Sequence, residues 1–163
     1  MKVYHTLEPV FDAHSRVLIL GTMPSPKSRE AQFYYAHPQN RFWPTLARLF
    51  DEPLPPTSDA RRCFALRHGI ALWDVLQSCE IEGASDASIR SAVPNELSVV
   101  LDNAPIQAVF TTGRRAYELY NRLCLHKMTE HECICLPSTS PANRRVSDLE
   151  LQKAYSVILN YLD

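Results

Sequence analysis

The sequence predicts an α/β fold with a central, mainly parallel four-stranded sheet and helices on both faces, a three-layer α/β/α arrangement. Two observations support this prediction. Short, continuous apolar runs alternate along the chain with segments whose apolar residues recur at helical spacing. Strands that are apolar on both faces are typical of a parallel sheet covered by helices. With 163 residues, of which 45% are hydrophobic, the chain can bury one substantial core, so we expect a single domain over residues 1–163.

The four predicted strands are the apolar runs. Their ranges are 17–20, 70–75, 107–111 and 132–136. The first run ends at the segment Gly-Thr-Met-Pro-Ser-Pro, where two prolines favour an irregular loop over a continued strand or a helix. Ligands of open parallel sheets bind beyond the carboxyl ends of the strands, so we expect the functional site in the loops that follow these runs.

Helical spacing of apolar residues predicts the helices between the strands. The predicted ranges are 42–50, 58–69, 95–101, a helix after Gly113 and a last helix after Ser147. Gly69 fits a left-handed residue at a helix end. The pattern Ser147-x-x-Glu150 is a capping box, and an apolar stripe follows it. Residues 82–92 are polar, and we predict a loop with a short turn there.

The segment after the first strand is rich in aromatic residues: Phe33, Tyr34, Tyr35, Phe42 and Trp43. Aromatic rings on a loop can stack on a nucleic acid base, which is worth about 1–3 kcal/mol per base. The alternative is that Phe42 and Trp43 begin a helix and pack into the core, and we favour it for these two. Tyr34 and Tyr35 are the better candidates for a binding pocket.

The formal net charge of −1 does not by itself favour a nucleic-acid partner, because Lys and Arg supply most of the non-specific affinity for phosphate. The distribution of charge is more informative. Adjacent arginines occur at 61–62, 114–115 and 144–145. These pairs can form a local basic face or can be solvated or ion-paired helix ends, and the sequence leaves both readings open.

Cysteine usage and hydropathy exclude several classes of protein. The five cysteines are odd in number, which does not fit a disulfide framework, and there is no Cys-x-x-Cys pair of the kind that often ligates an iron–sulfur cluster. We therefore expect no metal, no iron–sulfur cluster and no other cofactor. No apolar run approaches the roughly 20 residues that a membrane-spanning helix needs, and we expect a cytoplasmic protein.

Three segments resemble a known family. Gly-x-x-Pro at 21–24 followed by His-Pro-x-Asn-Arg-Phe-Trp at 37–43 is similar to the first motif of the uracil-DNA glycosylase superfamily. Leu-Pro-Ser-Thr-Ser-Pro-Ala-Asn at 136–143 resembles its second motif, and Gly-Ile-Ala-Leu-Trp-Asp-Val-Leu at 69–76 resembles a core strand of its hypoxanthine-DNA (deoxyinosine) glycosylase branch. The resemblance covers nearly the whole chain and implies a uracil-DNA-glycosylase-like fold.

The resemblance also implies a function. It implies a monofunctional DNA glycosylase of base excision repair that flips a deaminated base out of DNA and hydrolyses its N-glycosidic bond to leave an abasic site. We expect it to act as a monomer. Hypoxanthine is the expected base, with uracil as the second candidate. A lyase mechanism would need an activated lysine, and Lys27 is the only lysine in a motif loop. The expected partner is DNA that contains a deaminated base, with no membrane involved.

The first motif supplies the candidate base-binding residues, together with Asn40 as the candidate that positions the water. The base-binding candidates are Gly21, Thr22, Met23, Pro24, Ser25, Tyr34, Tyr35 and His37. Mismatch-specific relatives position the water with an asparagine two residues after the motif glycine, where this chain has Met23. The hypoxanthine branch is understood to use the asparagine of His-Pro-x-Asn instead, which corresponds to Asn40. The alternative is that Asn40 only caps the helix that follows it.

Asp74 is the second catalytic candidate, because a carboxylate at the end of the second predicted strand would lie near the mouth of the site. It can polarise a water or stabilise a cationic transition state, or it can merely cap a turn. His37 can donate to the leaving base or to phosphate, or be structural.

The second motif supplies the candidate DNA-binding residues, which would press on the duplex and contact phosphate. They are Ser138, Thr139, Ser140, Pro141, Ala142, Asn143, Arg144 and Arg145, with Arg114 at the start of a neighbouring helix. Among them, Pro141, Ala142 or Asn143 would be the wedge behind the flipped nucleotide.

Three alternative functions stay open at this point. The chain can be a uracil- or mismatch-specific glycosylase, which pocket width would decide. It can be a catalytically weak DNA-binding homologue, which Met23 favours. It can also be an unrelated α/β enzyme acting on nucleosides or phosphoesters, although the sequence has no Gly-rich phosphate loop and no Gly-x-Ser-x-Gly elbow.

Overall fold

A computed structural model describes residues 1–83, 85–124 and 132–162. The chain is a mixed α/β structure with seven strands in these ranges. The strands are β1 (Lys2–Tyr4), β2 (Val17–Gly21), β3 (Ile70–Asp74), β4 (Leu76–Glu80), β5 (Arg90–Pro94), β6 (Ala108–Thr112) and β7 (Glu132–Leu136). The four predicted strands are confirmed as β2, β3, β6 and β7; the ends of the first three differ by at most one residue, and β7 has the predicted range.

The central sheet is parallel throughout, in the order β3-β2-β6-β7. Every residue of β2, β3 and β6 is buried, as expected of strands covered on both faces. The register aligns the carboxyl ends of the strands: Gly21 pairs with Asp74, and Leu20 pairs with Thr111. The loops that follow β2, β3 and β6 therefore begin at one edge of the sheet.

Six α-helices and two 3₁₀ segments occur in the described ranges. The helices are α1 (Pro26–Ala31), α2 (Phe42–Leu49), α3 (Ser58–Arg67), α4 (Ser98–Leu101), α5 (Arg114–Leu123) and α6 (Asp148–Tyr155), and the 3₁₀ segments are Asp86–Ser88 and Ser156–Tyr161. The capping box of α6 is confirmed, because Ser147 and Glu150 bond reciprocally. Gly69, two residues beyond α3, has φ of +74°, the left-handed conformation that the sequence predicts.

The prediction of an irregular loop over residues 21–26 is wrong at its end, because α1 begins at Pro26. Proline is tolerated in the first turn of a helix, where its missing N–H has no intrahelical partner. Ser25 caps this helix by accepting the N–H of Ser28.

A second, three-stranded sheet in the order β1-β4-β5 was not predicted. Both pairings are antiparallel, and β4–β5 contains register shifts. The predicted loop over 82–92 is therefore wrong where β5 begins at Arg90; Ala84 lies outside the described residues. These strands are short and partly exposed, so they have no continuous apolar run that would identify them.

The core lies between the central sheet and its helices. Phe42 and Trp43 are 0% and 1% exposed, which confirms that these two rings pack inside. Trp43 donates its indole N–H to the Tyr34 carbonyl, so the first motif loop is fastened to α2. Among the described residues, no helix has the length and apolar character needed to cross a membrane.

Candidate active site

A pocket of about 310 Å³ opens at the carboxyl edge of the central sheet. It is lined by Gly21, Thr22, Met23, Pro24, Ser25, Ser28, Tyr34, Tyr35, His37, Asn40, Asp74, Ile81, Gly83, Asp86, Thr112, Ser138, Thr139, Ser140, Pro141 and Ala142. Every candidate base-binding residue, both catalytic candidates and residues 138–142 of the second motif are thus brought together. The volume is within the usual range for small-molecule sites.

Three oxygen atoms converge at Gly21, where β2 ends. A Cβ atom added to Gly21 would lie 2.5 Å from Asp74 Oδ1, 3.3 Å from the Tyr35 hydroxyl and 3.6 Å from Thr112 Oγ1. The Tyr35 hydroxyl and Thr112 Oγ1 are themselves 3.3 Å apart. The absence of a side chain at Gly21 therefore allows the carboxylate to approach the β2 backbone.

Asp74 is almost fully buried, and its carboxylate has a basic partner. His5 Nε2 lies 2.8 Å from Asp74 Oδ2, and the two side chains are 2% and 4% exposed. The Asp74 carbonyl accepts a hydrogen bond from Asn95 Nδ2 at 2.9 Å. Asp74 lines the pocket from the end of β3, and its carboxylate is paired with His5 rather than used to cap a turn.

Asn40 also lines the pocket, and one side of its amide is engaged. Its Oδ1 accepts the N–H of Phe42 at 2.9 Å, at the start of α2. The N-cap residue of α2 is Arg41, which makes no side-chain capping bond, so Asn40 lies one residue before the N-cap and is not itself the cap. The bond to Phe42 orients the Asn40 amide, and the structure gives Nδ2 no hydrogen-bond partner among the described residues. The contact of Oδ1 therefore leaves Nδ2 as a separate donor.

Tyr34 and Tyr35 form an aromatic wall. Tyr35 stacks on Phe42 with ring centroids 3.8 Å apart, and its backbone φ of +53° is unusual for a residue with a side chain. The Tyr34 hydroxyl donates to the Glu8 carbonyl at 2.8 Å. Burial, together with the charge of Asp74, raises the pKa of both phenols, so both stay protonated. Phe33 does not line the pocket and is core.

Met23 and His37 lie on the same lining. Met23 is 9% exposed, so a thioether occupies the place where an amide would be expected from mismatch-specific relatives. His37 Nδ1 accepts the N–H of Gln39 at 3.0 Å, which leaves Nε2 as the protonated nitrogen of the neutral ring.

A second carboxylate, Asp86, belongs to the pocket wall and was missed by the sequence reasoning. It comes from the 3₁₀ segment between β4 and β5, and Thr22 Oγ1 donates to it at 3.4 Å. Desolvation, together with the nearby Asp74 charge, raises the pKa of Asp86. The sequence around Asp86 is polar, so the sequence alone does not distinguish it from an aspartate on the surface.

Arg41 connects the two motif loops. Its guanidinium donates to the carbonyls of Val146 and Asn143, both at 2.7 Å, and lies 3.2 Å from Asp148 Oδ1. Its own N–H donates to the Thr139 carbonyl at 3.1 Å. The arginine of His-Pro-x-Asn-Arg is thus a clamp on the second motif loop, a role that its position in the motif does not reveal.

The second motif loop is folded on itself. Ser138 Oγ accepts the N–H of Ser140, and Ser140 Oγ accepts the N–H of Ala142. Asn143 Nδ2 donates to the Ser138 carbonyl at 2.8 Å, so this amide stabilises the loop, and Pro141 and Ala142 are the wedge candidates that face the pocket.

The arginines flank this loop outside the pocket. Arg144 and Arg145 are exposed directly after it, and Arg114 is exposed at the first position of α5. Gly113, with φ of +96°, precedes α5, and a Cβ added there would lie 3.3 Å from Ser138 Cβ. The start of α5 and the second motif loop therefore approach closely at Gly113 and Ser138.

In the part of the chain that the structure describes, no group of three or more His, Cys, Asp or Glu side chains is placed to hold a metal ion. The polar groups that line the pocket are carboxylates, an amide, phenols and hydroxyls.

Comparison with known proteins agrees with this geometry. A family model, the uracil DNA glycosylase superfamily, matches residues 8–163. A protein from Methanosarcina barkeri named hypoxanthine DNA glycosylase is 35% identical over 139 residues, which is 84% of this chain and 86% of the relative. A protein of the same name from Methanosarcina acetivorans is 34% identical over 140 residues, 85% of this chain and 87% of the relative.

The fold agrees with a solved structure as well. A solution NMR structure from Methanosarcina acetivorans, provisionally described as a uracil DNA glycosylase, has a TM-score of 0.80 and 29% sequence identity, and the match covers 98% of this chain and 99% of the other. These findings confirm the resemblance that the three segments indicated, including its direction toward the hypoxanthine branch. The chain belongs to the uracil DNA glycosylase superfamily.

Proposed function

We propose that this chain, a DNA glycosylase by family, excises hypoxanthine from DNA by hydrolysis and leaves an abasic site. The observation that supports this most directly is the convergence of Asn40, Asp74 and the second motif loop on one pocket at the carboxyl edge of the sheet. The two similar proteins named hypoxanthine DNA glycosylase favour hypoxanthine over other deaminated bases.

A base inside a duplex is out of reach, so the nucleotide has to leave the stack and enter the pocket. The ring of Tyr35 is held flat against Phe42, which leaves its other face for the base. Residues 21–25 also line the pocket and carry backbone amides and the hydroxyls of Thr22 and Ser25. Stacking and polar contacts of this kind select a planar heterocycle.

Two side chains prepare the water. The Asn40 Nδ2 group donates to the oxygen of the water, since Oδ1 is occupied by Phe42 N–H. The Asp74 carboxylate accepts a hydrogen bond from the same water and stabilises the positive charge that develops on the sugar. The hydrogen bond from His5 Nε2, at 2.8 Å, holds the Asp74 carboxylate in place for both roles.

Hydrolysis then breaks the bond between C1′ of the sugar and N9 of the base. The electron pair of that bond stays on the departing base, and the water oxygen bonds to C1′. The water proton passes to Asp74 and from there to the base. His37, with its Nε2–H in the pocket lining, donates a hydrogen bond to the departing base. No lysine lines the pocket among the described residues, so the reaction stops at the abasic site.

The second motif loop and its flanking arginines hold the DNA. Pro141 and Ala142 fill the gap behind the flipped nucleotide, and Arg114, Arg144 and Arg145 contact phosphates. Because Arg41 fixes this loop to the start of α2, the wedge keeps a constant position relative to Asn40. We propose that the protein acts as a monomer.

The test is base release from double-stranded oligonucleotides that carry one deoxyinosine or one deoxyuridine, followed by alkaline cleavage at abasic sites. We expect release of hypoxanthine by the wild type, and a loss of about 100-fold or more in Asn40→Ala, in line with the cost of removing a positioned donor. An Asn40→Ala variant with full activity would contradict the proposed role of Asn40.

A second candidate function is DNA binding without catalysis, and Met23 favours it, because its thioether cannot orient a water. The same experiment separates the two functions. A wild type that binds the deoxyinosine duplex yet releases no base would establish the binding function and contradict the enzyme.

A further inference from the structure

We propose that His5 is a positioning residue that holds the Asp74 carboxylate in its reactive orientation, so that the N-terminal strand completes the active site. The inference deepens the proposed glycosylase function and rests on it. The family match begins at residue 8, so it does not include His5.

The tautomer of His5 follows from its two contacts. Leu7 N–H donates to His5 Nδ1 at 3.3 Å, so Nδ1 is an acceptor and carries no proton. The proton of the neutral ring is then on Nε2, which points at Asp74 Oδ2 at 2.8 Å. The local backbone therefore sets His5 as a hydrogen-bond donor to the carboxylate.

His5 is the one hydrogen-bond partner of the Asp74 carboxylate among the described residues. The two side chains are 2% and 4% exposed, so water contributes little to solvating the charge. A buried carboxylate without a partner is costly. Loss of the His5 donor would leave Asp74 Oδ2 without a hydrogen-bond partner and the carboxylate free to rotate.

The other carboxylate oxygen is constrained from the opposite side. Asp74 Oδ1 lies next to the Gly21 backbone, with the Tyr35 and Thr112 hydroxyls close by. With Oδ2 bonded to His5 and Oδ1 against Gly21, the carboxylate plane has a single orientation. A water bound in the pocket would therefore contact the carboxylate in this one orientation.

His5 is itself held by the second sheet. Its N–H donates to the Gln77 carbonyl at 2.7 Å, and the preceding strand β1 pairs with β4, which follows Asp74 in the chain. The His5 imidazole thus belongs to a segment that is hydrogen-bonded to β4, close to Asp74 in the chain. A histidine that served only as core filling would not need this tautomer or this partner.

The experiment compares single-turnover excision of hypoxanthine and duplex binding in wild type, His5→Leu, His5→Gln and Asp74→Asn, with thermal unfolding as a measure of the fold. His5→Gln keeps an amide donor that can reach Asp74. The matched control is His14→Leu, because His14 is 91% exposed and does not line the pocket. The double variant His5→Leu/Asp74→Asn shows whether His5 acts through Asp74.

We expect a fall of about 10- to 100-fold in the single-turnover rate constant of His5→Leu, about 1.4 to 2.7 kcal/mol, with duplex affinity within twofold of wild type. His5→Gln should recover most of the rate, and the double variant should be no slower than Asp74→Asn alone. If His5→Leu does not fold, the single-turnover rate constant of His5→Gln tests the inference instead.

A His5→Leu rate within twofold of wild type would overturn the inference. A His5→Gln variant that unfolds at the same temperature as wild type yet is as slow as Asp74→Asn would also overturn it. Rate losses that multiply in the double variant would do the same. A wild type that releases no base would overturn the proposed function and this inference together, whereas an active wild type with an unimpaired His5→Leu overturns this inference alone.

Discussion

The substitution Gly21→Ala tests the close approach between β2 and the Asp74 carboxylate. The new Cβ would lie 2.5 Å from Asp74 Oδ1, whereas carbon and oxygen atoms in proteins approach to about 3.3 Å, so one of the two must move by roughly 0.8 Å. The Gly21 backbone φ is not in the left-handed region, so the contact and not backbone strain decides the effect.

The magnitude follows from what the movement breaks. A carboxylate displaced by this distance no longer keeps the 2.8 Å hydrogen bond to His5, and a hydrogen bond to a charged group contributes about 1.5–3 kcal/mol. Overpacking of a buried site costs about 1–3 kcal/mol. Because breaking the bond relieves part of the strain, we expect Gly21→Ala to lower the free energy of unfolding by roughly 2–4 kcal/mol.

The assay is urea unfolding together with single-turnover excision, in the wild-type and Asp74→Ala backgrounds. Removing the carboxylate removes the clash, so Gly21→Ala should cost less than about 1 kcal/mol in the Asp74→Ala protein. Excision by Gly21→Ala alone should fall by about 100-fold, as expected for a reactive group displaced by about 1 Å. Unchanged stability and unchanged rate in Gly21→Ala would refute the reasoning.

Three further predictions concern the motif loops and the second carboxylate. Arg41→Met should weaken binding of a deoxyinosine duplex and lower the unfolding temperature, because two carbonyl contacts of the second motif loop are lost; equal affinity and equal unfolding temperature would contradict the clamp. Arg144→Ala should leave the unfolding temperature unchanged and reduce the slope of log affinity against log salt by about 1, and an unchanged slope would remove Arg144 from the phosphate contacts. Desolvation raises the pKa of Asp86, so its charged form destabilises the folded state above that pKa, and this cost disappears as pH falls below the ordinary value of 3.8. Asp86→Asn should therefore be more stable than wild type at pH 7, with a difference that shrinks toward pH 4 in urea unfolding; a constant difference would contradict the pKa direction.

The central sheet could be predicted because its strands are apolar throughout. Burial on both faces leaves a continuous run in the sequence, as in Val17–Gly21 and Ala108–Thr112. The position of Asp74 at a strand end placed it near the pocket for the same reason. The aromatic core of α2 followed from helical spacing of Phe42 and Leu46, both 0% exposed.

The second sheet could not be predicted, because its strands are short and have no such run. β5 is mostly exposed, and its pairing with β4 shifts register. A local pattern gives no signal when one face is solvated and the strand bulges. The same limit applies to α1, whose first residue is a proline that more often ends a regular element than begins one.

The motifs predicted which residues line the candidate pocket, but not the long-range contacts that support them. His5 meets Asp74 across a separation of 69 residues, and Arg41 meets the Val146 carbonyl across 105. No spacing rule connects such positions, because the contact depends on how two sheets and two loops are packed. The residues that support the motif side chains are therefore known only from the structure.

The most direct test of the proposed function is the detection of free hypoxanthine by mass spectrometry after incubation of the purified protein with a duplex that carries one deoxyinosine. We predict free hypoxanthine and abasic sites in equal amounts from the wild type, and neither product above background from Asn40→Ala at the same protein concentration. Intact deoxyinosine after incubation with a folded, DNA-binding wild type would contradict the account.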